Sequence, residues 1–285
     1  MKKRVIFAAL MFLAAPLFSG CSDDETTGPE GGEEYLVLGH IMCRPYVDFS
    51  AVIHDVYRKG CDVDSILVCD SLCSEYESYN LVPGEGSETS YYYNNRADST
   101  RLRSGDVATV RFYDGINAAL TEVAVLSWNN DSVKYISPLA NTVINPSESF
   151  ELVWHRVANA HWYGLNIHFV TDSAGTMVFS EWYAWTEDTT LVIDGSGFPK
   201  NGQISIAGVS VAGPSPGSAP NVSGLKLTGT IYGLANPAAV YFTVGTGFNP
   251  GVVGKISPWQ DEPDSLAIEL VEKLYEAGQI RKEAI

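Results

Sequence analysis

From Tyr35 to about residue 257 the chain is cut into short aromatic and β-branched runs by Gly-, Pro- and Asn-bearing turns. That punctuation limits the fold more than any other feature. Most runs are too short to register as helices, and several alternate with period two. In Phe150-Glu151-Leu152-Val153-Trp154, the side chains of Phe150, Leu152 and Trp154 share one face. In residues 162–170, Tyr163, Leu165, Ile167 and Phe169 do the same, and in 107–113 Ala108, Val110 and Phe112 oppose Val107, Thr109, Arg111 and Tyr113. Many short strands with one apolar face each specify an all-β chain of sandwiches or barrels.

The runs fall into two groups. Seven or so strands are predicted over 35–135, in residues 35–42, 47–57, 63–69, 76–82, 90–93, 107–113 and 119–128. Turns are expected at Arg58-Lys59-Gly60, Asp70-Ser71, Pro83-Gly84 and Ser104-Gly105-Asp106. That spacing is an immunoglobulin-like sandwich pattern. The run from Gly60 through Cys69 to Gly105-Asp106 and Tyr113 is similar to the N-terminal sandwich of many surface lipoproteins. Residues 136–257 form the second group. Its strands are expected between Pro138 and Asn145 and in 150–154, 162–170, 177–185, 189–193 and 203–211. Leu152-x-Trp154, Ala160-x-x-Tyr163 and the turn Gly213-Pro214-Ser215-Pro216 resemble fibronectin type III domains over roughly 138–244. The resemblance implies that Trp154 and Tyr163 are core residues on the second and third strands. No Tyr stands before Ile204-Ser205-Ile206, where that family's tyrosine corner would be, and the stretch after Pro220 is longer than one closing strand. The expected architecture is two tandem immunoglobulin/fibronectin III-like β-sandwiches followed by a short C-terminal α-helix.

That helix is read in 258–285. Pro263 suits a first helical turn. Leu266, Leu270, Val271, Leu274 and Tyr275 recur at helical spacing with Glu269, Glu272, Lys273 and Glu276 opposite, and Gly278 ends the segment. Such a helix packs on a sheet of its own chain or docks on a partner.

The N-terminus has the three parts of an export signal: basic Lys2-Lys3-Arg4, an apolar stretch from Val5 to Phe18, and small residues before Cys21. The apolar stretch is shorter than the roughly 20 residues of a spanning helix. Phe18-Ser19-Gly20-Cys21 resembles the lipobox of bacterial lipoproteins, with Phe18 where Leu is usual. The resemblance implies a signal peptide over 1–20, cleavage before Cys21, and acyl chains on Cys21 as the membrane anchor. Residues 21–34 are acidic and nearly free of apolar side chains, and read as a flexible tether. Ser22-Asp23-Asp24-Glu25 resembles the acidic export tag of surface lipoproteins in Bacteroidota. The expected location is the outer membrane, lipid-anchored, facing the cell surface or the periplasm.

The chain carries 18 Lys+Arg and 34 Asp+Glu. Without the three basic residues of the signal this is 15 minus 34, or −19. Such a charge argues against nucleic acid and anionic membrane patches as partners. With Cys21 lipidated, Cys43, Cys61, Cys69 and Cys73 remain, and an even count in an oxidising compartment favours two disulfides of open connectivity. A thiolate–imidazole metal site using Cys69, Cys73 and Cys61, His54 or Cys43 is the weaker alternative.

No catalytic motif stands out, and no cofactor or resident metal is implied. His155, His161 and His168 sit close in sequence, but alternation sends them to different faces, so they read as exposed strand histidines. Asp62-x-Asp64 lacks the Gly and Glu of a calcium loop and reads as a solvated turn. Trp162, Trp182, Tyr183 and Trp185 are the candidate ligand-binding residues. If Tyr163 faces the core, Trp162 faces out, and Trp182 and Trp185 occupy opposite faces. Exposed rings on a sandwich can stack on sugars, while rings under loops or between domains are structural. These features point to a non-catalytic binding or adhesion module for a glycan or protein. The alternative is an envelope-assembly subunit docking through the C-terminal helix.

Overall fold

The computed structural model describes residues 35–44, 47–55, 65–69, 71–72, 74–79, 87–94, 102–114, 116–173, 176–198, 200–245, 267–271 and 273–274. The signal, Cys21 and the tether lie outside them, as do Cys61, Cys73 and the Asp62-x-Asp64 turn.

The strands are β1 (Tyr35–Cys43), β2 (Val47–Asp55), β3 (Ser65–Val68), β4 (Ser71–Leu72), β5 (Ser74–Tyr79), β6 (Ser87–Asn94), β7 (Val107–Asp114) and β8 (Asn117–Ala124) in the first half. The second half supplies β9 (Tyr135–Ser137), β10 (Val143–Ile144), β11 (Phe150–Trp154), β12 (Trp162–Ser173), β13 (Thr176–Thr186) and β14 (Thr190–Ile193). It continues with β15 (Gly202–Ala212), β16 (Val222–Gly224), β17 (Leu227–Leu234) and β18 (Ala238–Val244). Helical residues follow at 267–271 and 273–274. The chain is therefore nearly all β, as its alternation requires.

Most of each half packs into a core of its own. In the first, Val37, Ile41, Phe49 and Ala51 of β1 and β2 meet Ile66, Val68, Val110, Phe112 and Val123 from the separate sheet β4-β3-β7-β8. In the second, the sheet β14-β11-β9 contributes Leu152, Trp154, Leu191 and Ile193. Across from it stand Tyr163, Leu165, Ile167 and Phe169 of β12, with Ile204, Ile206, Val240 and Phe242 of β15 and β18. Trp154 and Tyr163 are core residues, as the fibronectin III resemblance implies, with ring centroids 5.3 Å apart edge to face. The Tyr163 hydroxyl accepts the buried Val157 N–H at 2.9 Å.

The expected tandem arrangement, with a boundary near 135/136, is not confirmed, because β17 crosses between the halves. This strand leaves the second half and pairs in parallel with β1, from Tyr35↔Leu227 to Met42↔Leu234. It also meets β15 at Val211↔Leu234 and Ala212↔Gly233. The path β10-β18-β15-β17-β1-β2-β6-β5, with β12 and β13 branching from β15, is one continuous sheet. Residues 33–285 form one compact unit. The physical reason lies in the surplus length after Pro220. One strand, β18, closes the second core, and β16 and β17 place Val222, Leu227 and Ile231 in the first.

A third core lies on the other side of this shared sheet. Met42, Trp128, Trp162, Val209, Val211, Tyr232 and Leu234 pack there against Ala267, Leu270, Val271 and Leu274 of the helix. Gly164 makes the close approach possible. A Cβ there would stand 3.1 Å from Leu274 Cδ1 and 3.3 Å from Leu270 Cγ. The apolar face that the sequence offered to a partner is occupied within the chain. Leu266 and Tyr275, predicted to share that face, lie outside the described residues.

Candidate functional site

The covering helix decides what happens to the aromatic candidates. Trp162 does not face out: it is fully buried, edge to face with Tyr232 at 5.8 Å and Trp185 at 6.5 Å. Alternation placed it opposite Tyr163 correctly, but that second face is also a core. Trp182 points to the second-half core and packs edge to face on Phe198 at 5.6 Å. Tyr183 and Trp185 pack on the opposite side against the third core. All three are half-buried. The four residues thus divide between two layers and do not form one exposed aromatic surface.

The histidines are separate as well. His155 and His161 are exposed. The Nδ1 of His161 accepts the Gly213 N–H at 2.9 Å, which ties the start of β12 to the Gly213-Pro214 turn. His168 is half-buried, not exposed, and lies 5.7 Å from the Phe179 ring. Burial pushes its imidazole below its usual range, with the nearby Glu181 charge opposing.

Neither Cys43 nor Cys69 is joined in a disulfide, so the two-disulfide expectation is not met at either. The Cys43 Sγ–H donates to the Leu102 carbonyl at 2.9 Å. Burial, and then the charges of Asp106 and Asp131, push this thiol up. Among the described residues no His, Cys, Asp or Glu group of three or more is placed to hold a metal.

The cross-strand register organises polar residues that the sequence scatters. On the helix-bearing face, Tyr183, Asn166, Ala207 and Ala239 form one row across β13, β12, β15 and β18. The next row is Glu181, His168, Ser205 and Tyr241. Asn166 Nδ2 donates to Glu181 Oε1 at 2.7 Å. The Tyr183 hydroxyl is hydrogen-bonded to Glu181 and to Glu269 of the helix. Burial, followed by those two negative charges, pushes its ionisation well above the usual phenol range. Asn166, Glu181 and Glu269 were not read together from the sequence, because the β12–β13 hairpin contributes two of them and the distant C-terminal helix the third.

Glu181, His168 and Ser205 have the composition of a nucleophile–base–acid set. Ser205, however, is only 3% exposed, and the Glu181 carboxylate bonds Asn166 and Tyr183. A buried hydroxyl in mid-strand offers a substrate no approach.

β13 itself borders the open side. It pairs with β12 alone, and its other edge is unpaired among the described residues. Val178 and Phe179 on it are 44% and 53% exposed.

No protein-family model matches this chain, and no curated protein does. Among solved structures it is similar to the FN1–FN3 domains of chicken CNTN1, at 8% identity and a TM-score of 0.29, over 73% of this chain and 64% of that one. The chain thus spans less than two thirds of that structure's length.

Proposed function

We propose that the protein is a non-catalytic binding module, held on the outer membrane by acyl chains on Cys21 and presented outside the cytoplasm on its acidic tether. The observation that carries the reading is the outer edge of β13, eleven residues long, unpaired among the described residues and flanked by exposed Val178 and Phe179. Soluble proteins usually shorten, charge or cover such an edge, because its free N–H and C=O groups template another strand. An edge that no described strand pairs, with apolar side chains beside it, suits an extended protein segment that adds as a further strand. The covering of Trp162 and the half-burial of Trp182, Tyr183 and Trp185 favour such a protein ligand over a stacked sugar. Assembly through the C-terminal helix is the less favoured reading, since Leu270, Val271 and Leu274 already pack on Gly164 and Trp162 of their own chain.

Two experiments test this. Protease shaving of intact cells, with an epitope tag after Ile285 and a lysed control, should remove the tag if the module faces outward. Protection in intact cells alone would place it in the periplasm. Separately, Phe179→Asp should abolish capture of an envelope protein that the unaltered chain retains. Equal capture by both would move the site away from β13.

A further inference from the structure

The two ends of the shared sheet differ. β1 begins at Tyr35, which pairs with Leu227, so the chain enters the fold at the Leu227 end of β17. The other end of β17 meets β15 at Ala212↔Gly233 and Val211↔Leu234. β15 is antiparallel there, and its remaining residues back to Gly202 run on past Leu234. The second half therefore extends away from Tyr35. β8 lies alongside β16 and β17 in a fixed direction. A Cβ on Gly224, just before the turn into Leu227, would stand 3.5 Å from Ala119 Cβ, whereas one on Gly233 would run into the Ala124 carbonyl oxygen. The start of β8 thus lies at the Tyr35 end. Asp114 pairs with Asn117, which puts Ile116 in the two-residue connection between β7 and β8, beyond the last pair of that hairpin. Ile116 is 99% exposed and adds nothing to any core. Such connections favour Gly, Asn and Asp, so the turn does not call for a β-branched apolar side chain either. Leu120, on the outward face of the same hairpin, is 52% exposed.

We propose that this hairpin tip is a membrane contact: the Tyr35 end of the fold stands on the bilayer with Ile116 in its interfacial layer. The proposal rests on the reading of Cys21 as an acylated anchor. From Cys21 to Tyr35 the chain advances 35 minus 21, or 14, residues. A flexible segment of that length spans about 20 Å, which keeps the end bearing Ile116 near the lipid. One isoleucine is too small to hold a free protein on a bilayer, but a tether makes the contact intramolecular, so little affinity suffices. An apolar contact needs no anionic headgroups, which the acid excess of the chain would repel. Standing on this end directs the second half, and β13 with it, away from the lipid.

The test uses the full chain expressed with its signal and reconstituted in phosphatidylcholine vesicles, with and without brominated acyl chains. Retention on the vesicles, lost in a chain begun at Ser22, reports the anchor. Ile116→Trp reports the tip, read as the difference from the unaltered chain. The side chain it replaces touches no core, so the variant should fold. Bromine should quench the added emission at least twofold. Val192→Trp, at an exposed position in the second half, should stay unquenched. A retained chain in which Ile116→Trp adds no quenchable emission, or in which both variants are quenched alike, would overturn the tip contact alone. A chain that the vesicles do not retain would overturn the anchor and the contact together.

Discussion

Leu270→Ala probes the third core where it is most sharply defined. Leu270 is fully buried, and the space beneath it lies over Gly164, which has no side chain to move into a vacancy. Truncating a buried leucine costs about 2–5 kcal/mol, more where the site cannot collapse. The glycine floor therefore argues for about 3 kcal/mol or more if the helix stays in place. For a chain of this size that corresponds to a fall of about 6–12 °C in Tm. A short helix has another option, which is to lift off. The measured loss is then capped at the free energy of helix docking, and Trp162 becomes accessible. Urea unfolding gives the magnitude, and acrylamide quenching of tryptophan in the native baseline separates the two cases. Raised quenching means undocking, whereas unchanged quenching with a large loss means a retained cavity. A loss under about 0.5 kcal/mol with unchanged quenching would refute packing of the helix on Gly164.

Other substitutions test other layers. Tyr163→Phe removes the acceptor for the buried Val157 N–H and should cost about 1–3 kcal/mol in urea unfolding. Gly229→Ala would place a Cβ 1.9 Å from the Val37 carbonyl oxygen, so it should break the β1–β17 pairing and cost on the order of 4 kcal/mol, seen as lost exchange protection in both strands. His168 titrates below its usual value when folded, so the unfolded chain takes the proton first as pH falls. Its contribution to stability is present above pH ~6.5 and is lost as pH falls through the folded value, and His168→Gln should flatten that part of the stability–pH curve.

Alternation made the inner faces legible. Leu152 and Trp154 on one strand, and Tyr163 to Phe169 on the next, lie in the core the pattern assigns them to. The same logic misplaced Trp162, because period two reports that a strand has two faces and not whether both are covered. A clue was present in Gly202 to Ala212, where small and apolar residues run on with little alternation and every position is buried. Such a run marks a strand with layers on both sides. The surplus after Pro220 was visible too, but its destination depends on pairing with β1, near the opposite end of the described chain. The cluster of Asn166, Glu181, Tyr183 and Glu269 was illegible for a related reason: its members meet through strand register and helix docking, and neither leaves a local spacing.

The parallel pairing of β1 with β17 also sets the order in which the molecule can be finished. A chain made from its N-terminus emerges with β1 and β2 first, yet Val37 and Ile41 reach their complete core only when Val222, Leu227 and Ile231 arrive. The early half must wait, unfinished, for nearly the whole chain. Contacts so distant in sequence delay folding, since the loop between them must close before they stabilise anything. A fragment ending near residue 135 should remain unfolded or associate through its bare β1 edge. Late closure of this kind leaves a partly made chain loose until Leu227 to Leu234 arrive and lock it.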